Sequence, residues 1–160
     1  MAGVDPAQFR QLLGRFATGV TVVTTRDARS HPIGMTASSV ASVSLHPPLL
    51  LVCVDQGHDM HAALKAATRF VINVLAAHQE AISRRFAADH PDRFDGIGYT
   101  DSKHGVPVLD GTLATIECEK QAETAGGDHT VFIGLVTGGT VFDRRPLLYY
   151  RGGYASLHGG

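Results

Sequence analysis

Phe9, Leu12, Leu13 and Phe16 recur at i, i+3, i+4 and i+7, the spacing of one apolar stripe along a helix. Asp5-Pro6 stands before them, a capping side chain followed by a ring pre-set for the first turn, so the helix is expected to begin there and stop at Gly19. The period then changes. Val20 to Thr25 is β-branched at every position, Arg26 to Ser30 is a polar turn, and His31 to Ala37 returns, which predicts a hairpin. Val40 to Ser44 reads as a short third strand closed by Leu45-His46-Pro47-Pro48. Those prolines cannot donate to a ladder and are expected before the next strand. Leu49 to Asp55 is apolar until its last residue, the pattern of a strand buried on both faces.

Asp59 to Thr68 and His78 to Ala88 read as helices, the second with Ile82 and Phe86 four apart, and Phe70 to Leu75 between them reads as a strand. Asp89 to Gly111 is rich in Gly, Pro and Asp and predicts an irregular surface excursion. Leu113 to Glu123 alternates, with Ala114, Ile116 and Cys118 on one face and Glu117, Glu119 and Gln121 nearer water. A Gly126-Gly127 turn then leads through Asp128 and His129 into Thr130 to Phe142, and Leu147 to Arg151 follows. Seven or eight strands against two or three helices, without steady strand–helix alternation, predict an antiparallel barrel with helices packed outside.

Composition narrows the class. The 160 residues fit one domain, and 44% hydrophobic against 18% charged content fits a globular chain. A net charge of −1 provides no basic field for nucleic acid or an anionic membrane. No apolar run approaches the ~20 residues of a spanning helix, and the N-terminus lacks the features of a signal peptide. Cys53 and Cys118 are far apart and in no CxxC spacing, which favours free thiols in a reducing cytoplasm over a disulfide.

Four places carry possible chemistry. Gly34-Met35-Thr36-Ala37-Ser38-Ser39 ends a strand with small side chains and hydroxyls, through which backbone amides approach a flat ring or a phosphate closely; a polar turn is its plainer reading. Arg84-Arg85-Phe86 ends a helix, where a guanidinium fork suits phosphate but a cation is favourable without any ligand. His58 and His61 are three apart but lack third and fourth ligands, so they are read as turn and cap groups and no metal is expected. His129 follows a carboxylate able to hold its tautomer and opens a strand that faces the interior. The other histidines, at 31, 46, 78, 90, 104 and 158, sit in polar contexts and are expected in water. Gly96-Ile97-Gly98 lacks the third glycine and the preceding strand of a dinucleotide fingerprint, and no nucleophile elbow is present.

In order along the chain, Phe16-Ala17-Thr18-Gly19-Val20-Thr21-Val22-Val23-Thr24, Gly34 to Ser39, Ser44 to Leu49, Phe70 to Leu75, Arg85-Phe86-Ala87, Gly127-Asp128-His129 and Leu148 to Tyr154 resemble the short-chain flavin reductases, the reductase components of two-component flavin monooxygenases. The resemblance runs from about residue 9 to 154. It implies a split β-barrel with a Greek-key antiparallel core and flanking helices, one domain over 1–160, working as a homodimer with flavin (FMN or FAD) near the interface. It implies that Thr36 and Ala37, beside Met35, meet the isoalloxazine edge, and Ser38 and Ser39 the ribityl-phosphate side. Asp55, Gln56 and His61, with Cys53, would line the same groove, and Arg85 and Phe86 would close its phosphate end. His129, assisted by Arg151 and Tyr154, would hold NADH or NADPH against the flavin as hydride donor. Reduced flavin would pass to a separate monooxygenase; the alternative is a flavin-holding protein of the same fold with another acceptor or none. The segment Gln56 to His61 departs from the family's Ser-rich stretch, which removes hydroxyl donors there.

Overall fold

Among residues 2–158, those described by the computed structural model, three α-helices and twelve strands form, and every strand pairing is antiparallel. Helix α1 is Pro6–Leu13, capped by the Asp5 carboxylate, which accepts from Gln8 N at 2.9 Å. It ends at Gly14, five residues before the expected Gly19, so Phe16 lies beyond the helix whose stripe it continues. Strands β1 (Thr18–Gly19), β2 (Thr21–Arg26) and β3 (Pro32–Ala37) follow, with β2 and β3 in the expected hairpin. β4 (Val40–Leu45) and β5 (Pro48–Asp55) form a second hairpin. Pro47 sits in its turn, whereas Pro48 is the first residue of β5, opposite Leu45. Helix α2 (Asp59–Ala66), strand β6 (Arg69–Val74) and helix α3 (Glu80–Ala87) come next. The chain finishes with β7 (Tyr99–Asp101), β8 (Pro107–Leu109), β9 (Ala114–Gly126), β10 (His129–Val141), β11 (Leu147–Tyr150) and β12 (Gly153–Ser156).

Seven strands make one sheet in the order β3-β2-β6-β9-β10-β5-β4, while β1-β11-β12 and β7-β8 form two small ones. The two edges of the large sheet are consecutive in sequence, joined only by Ser38 and Ser39. Laid flat, seven strands would put those edges roughly 29 Å apart, and three residue steps reach about 10 Å. The sheet must therefore curl until its edges meet. They approach without pairing: β3 and β4 share no ladder, so the sheet stays open along one seam.

Inside the curl, Val23, Met35, Val52, Val54, Phe70, Ile72, Cys118 and Phe132 pack with Met60 and Leu64 of α2. A second cluster, built on Val22, Leu75, Phe86, Leu109 and Leu147, lies under α3. β5 is not buried on both faces. Leu50, Val52 and Val54 point inward, while Leu49, Leu51 and Cys53 on the other face are only half covered. The span from Asp89 to Gly111 is also more ordered than its composition suggests. It contains the β7–β8 hairpin and buries Arg93, Val106 and Leu109. Buried Asn73 fixes that hairpin, donating to Val22 O and accepting from Leu109 N, both at 2.9 Å.

Much apolar surface stays uncovered in the single chain. Phe9, Leu12 and Leu13 of α1 are exposed, and so are Phe16, Leu45 and Val141, at 73%, 75% and 84%. The second half of β9 pairs only with β10, and the second half of β10 only with β9, which leaves two half-strand edges open.

Candidate functional site

Two exposed serines bridge the seam. Ser39 accepts from Cys53 N at 3.2 Å and donates its hydroxyl back to Cys53 O at 3.0 Å, which ties the β3–β4 connection to β5. Ala37 is held by Thr21, whose hydroxyl donates to Ala37 O at 2.7 Å. Thr36, half-buried, donates to Ser83 O on α3, also at 2.7 Å.

From Cys53, β5 runs two residues, roughly 7 Å, to Asp55, which stands opposite His129 in the ladder with β10. The β9–β10 hairpin delivers that histidine through a two-residue loop. Gly127, at φ +67, takes the left-handed first position that favours glycine. Asp128 follows, and its Oδ1 lies 2.7 Å from His129 Nδ1. With the ring proton on Nδ1, His129 donates to Asp128 and leaves Nε2 outward. That hydrogen bond, and the imidazole's charge, hold the Asp128 carboxyl below its ordinary 3.8.

Gln56 clamps the same corner, donating its side chain to His129 O at 3.2 Å and its N–H to Asp128 O at 3.0 Å. His61 Nε2 lies 2.8 Å from Thr130 Oγ1, and Asp55 turns its carboxylate onto Gly57 N at 2.7 Å. The imidazole of His129 is 41% exposed, neither sealed in the interior nor remote from the seam. Ser38, Ser39, Cys53, Asp55, Gln56, His61 and His129 are thus brought to one end of the curled sheet.

Other expected site residues fall elsewhere. Phe86 has no exposed surface and packs edge-on against Phe94, 5.0 Å between centroids, so its ring is part of the core. Arg85 does not present a free guanidinium. It donates to the carbonyls of Asp92, Arg93 and Asp95 and holds that loop against α3. Met35 is buried among the core residues, leaving only its main chain near the seam. Arg151 is exposed at φ +53 and its N–H bonds to Gly14 O, beside the end of α1 rather than beside His129. Tyr154 is half-buried, with its hydroxyl 2.7 Å from Ser83 Oγ, and so belongs with Thr36. His58 caps α2 as expected, accepting from Met60 N at 3.0 Å.

Two residues went unread in the sequence. Ser83 joins Thr36 to Tyr154. Arg93, 6% exposed, donates to Gly34 O at 2.8 Å and to both oxygens of Asp59 at 3.1 and 3.2 Å, which fastens β3 to the start of α2. Beside that clasp opens a cleft of about 400 Å³, lined by Asp27, His31, Ile33, Asp59, Asp92 and Phe94 among others, with His129 outside it. Among the described residues no group of three or more His, Cys, Asp or Glu is placed to hold a metal ion.

A curled antiparallel sheet whose open seam carries small and hydroxyl residues, with an oriented imidazole near the same end, has the chemistry to receive a planar heterocycle. The unpaired edge amides and the Ser38 hydroxyl are donors for a flavin's ring and phosphate oxygens, the Ser39 hydroxyl being engaged with Cys53 O, and Ala37 adds no bulk, so the residues present fit that group. Comparison with known proteins agrees. The family model for the flavin reductase-like domain matches residues 13–158. The reductase subunit of a flavin-dependent monooxygenase from Rhodococcus jostii is 42% identical over 155 residues, covering 96% of this chain and 79% of that protein. An FMN reductase (NADH) from Agrobacterium fabrum is 42% identical over 152 residues, covering 95% and 86%. The solved structure of a Streptomyces globisporus NADH:FAD oxidoreductase in complex with NAD and FAD fragments superposes with a TM-score of 0.92 at 39% identity, covering 99% of this chain and 98% of that one. The chain belongs to the flavin reductase-like family.

Proposed function

We propose that this chain is an NAD(P)H:flavin oxidoreductase, a single flavin reductase-like domain that reduces FMN or FAD with NADH and supplies the reduced flavin to a separate monooxygenase. The observation that carries the reading is the shared corner of the seam, where Ser39 lies against Cys53 and where His129 of β10 stands opposite Asp55, two residues further along β5. Family membership and the activities named for the relatives support it. The open, curled sheet supports the split-barrel reading of the fold.

When bound, the flavin supplies the hydride acceptor and the reduced nicotinamide the hydride. The protein's share is geometry. Thr36 and Ala37 present main-chain groups to the flavin edge, and the Thr36–Ser83 and Thr21–Ala37 bonds keep that strand end from moving. Ser38 offers its hydroxyl to the ribityl-phosphate side and Ser39, whose hydroxyl is engaged with Cys53 O, its main chain, with Cys53, Asp55, Gln56 and His61 forming the facing wall. His129, oriented by Asp128 and held from behind by Gln56, positions the nicotinamide, and Tyr154, on the Thr36 side through Ser83, offers a separate second contact. The anchoring of Arg85 and the burial of Phe86 leave the phosphate end to main-chain donors rather than to those side chains.

A homodimer completes this reading. Exposed Phe9, Leu12, Leu13, Phe16, Leu45 and Val141, together with the two open half-strands, support burial against a second copy. No helix among the described residues is long and apolar enough to cross a membrane, and two free thiols support a reducing, cytoplasmic setting.

The deciding experiment mixes the protein with NADH or NADPH and with FMN or FAD, and follows loss of the reduced nicotinamide absorbance. Turnover that rises with added flavin is expected. A tightly coloured protein that oxidises neither nucleotide would overturn the reductase reading.

A further inference from the structure

Ser83 lies on α3 with no exposed surface, and two hydrogen bonds meet on it. Its carbonyl accepts from Thr36 Oγ1, and its own hydroxyl lies 2.7 Å from Tyr154 Oη. Tyr154 comes from β12, the last strand of the chain. Its ring meets Tyr149 edge-on at 5.4 Å and lies under the Arg84 guanidinium at 4.9 Å, so the phenol has one orientation.

Burial decides which hydroxyl donates. Among the described residues, Tyr154 is the sole hydrogen-bond partner of the Ser83 hydroxyl. If the phenol donated, the serine proton would be left buried without an acceptor. The phenol is only half-buried, so its own proton reaches water or a ligand. Ser83 therefore donates, Tyr154 accepts, and the tyrosine proton is left pointing away from α3.

We propose that Ser83 is a positioning residue that makes Tyr154 a dedicated hydrogen-bond donor to an acceptor oxygen of the reduced nicotinamide nucleotide. The proposal rests on the reductase reading above and deepens it. A neutral donor of fixed direction suits a carboxamide or ribose oxygen of that nucleotide. Because Thr36 bonds to the main chain of the residue whose side chain directs Tyr154, one turn of α3 sets the spacing between the flavin side and the nucleotide side of the groove.

The test is steady-state kinetics with NADH on Ser83→Ala, Tyr154→Phe and the double variant, with flavin affinity measured separately by titration. Tyr154→Phe is expected to raise the KM for NADH about tenfold, with a smaller loss in kcat. Ser83→Ala is expected to raise it several-fold, and the double variant to be no worse than Tyr154→Phe, because the two groups act as one. Flavin affinity of Ser83→Ala is expected to stay near the parent's, since the Thr36 bond goes to the main chain. Ser83→Cys, a weak donor of similar volume, is expected to fall between parent and Ser83→Ala. Losses that add in the double variant, a KM for NADH equal to the parent's in Ser83→Ala, or a KM equal in the Cys and Ala variants each overturn the proposal. A parent chain that shows no flavin-dependent NADH oxidation removes the reductase reading and this proposal together; a parent that turns over while Ser83→Ala matches it removes the proposal alone.

Discussion

Replacing Arg93 with Met tests how the seam is held open at a fixed width. The side chain is 6% exposed, and Met fills much of its aliphatic volume while removing every donor. Three contacts go at once: Nη1 to Gly34 O at 2.8 Å, Nε to Ala88 O at 3.0 Å, and Nη2 to the Asp59 carboxylate. Removing one partner of a fully buried ion pair costs about 3–5 kcal/mol. Here the surviving partner is not fully buried: the Asp59 side chain is 55% exposed and regains water. What stays stranded is chiefly the two carbonyls, so the expected loss is about 2–3 kcal/mol, or about 5–10 °C in Tm for a chain of this length. Urea unfolding without flavin measures it. Arg93→Lys keeps a charge for Asp59 but cannot reach three directions with one ammonium, so it is expected to recover less than half of the loss. Because Gly34 leads into Thr36 to Ser39, and Asp59 follows Gln56, flavin affinity is expected to fall in Arg93→Met even where the variant is folded. A Met variant within about 0.5 kcal/mol of the parent, the range of an ordinary surface change, would refute the idea that this arginine clasps β3 to α2.

Gly134→Ala places a methyl group 2.6 Å from Phe70 Cζ and 2.9 Å from Cys118 Cβ, so a loss of about 1–3 kcal/mol is expected in the same unfolding assay, and an unchanged midpoint would contradict the packing. Burial, with a smaller contribution from Glu117, pushes the Cys118 thiol up to about 12, whereas Cys53 is half-buried and raised less, so a thiol reagent at mild alkaline pH is expected to label Cys53 first. Added flavin is expected to slow that labelling, and no protection would remove Cys53 from the groove wall. The Asp27 carboxyl is held below 3.8 first by the N–H of His31 and then by that of Arg29, so its folded pKa lies under its unfolded one. The stability it adds is present above 3.8 and lost as pH falls through the lower folded value; Asp27→Asn is therefore expected to destabilise at neutral pH and to match the parent in strong acid. His129→Ala is expected to raise the KM for NADH about tenfold while weakening flavin binding less, and a collapse of flavin affinity in a titration would instead put the imidazole on the flavin.

Individual elements were readable because each leaves a local mark. Asp5-Pro6 starts α1 and β-branched Val20 to Thr25 becomes β2, both from side-chain chemistry within a few residues. Errors came where the deciding contact was distant. β5 looked fully interior because Leu49, Leu51 and Cys53 are apolar, yet apolar character does not say which face has a covering layer in a single chain. Asp89 to Gly111 looked like loose surface chain because its Gly and Pro content is high. Arg93 is buried there through partners 34 and 59 residues away in sequence, and a pair at that separation leaves no periodicity.

The same reasoning separates what was legible in the site from what was not. His129 was readable because its neighbours in sequence, Gly127 and Asp128, do the local work of turning the chain and holding the ring. Phe86 matched both a family motif and an apolar helical stripe, and the stripe decides: a ring four residues from Ile82, on a face turned to the core, belongs to packing. What no local pattern encodes is that Ser38-Ser39 joins opposite edges of a seven-stranded sheet. That topology sets a polar turn across the open seam of the sheet. Where the ladder closes, backbone groups are consumed by one another; along the seam they remain available, and the proposed ring would meet small side chains on one wall and the β5–β10 corner on the other. The proposed site lies where this sheet fails to close, and on that proposal residues of modest individual character, such as Ala37, Ser38 and Gln56, carry it.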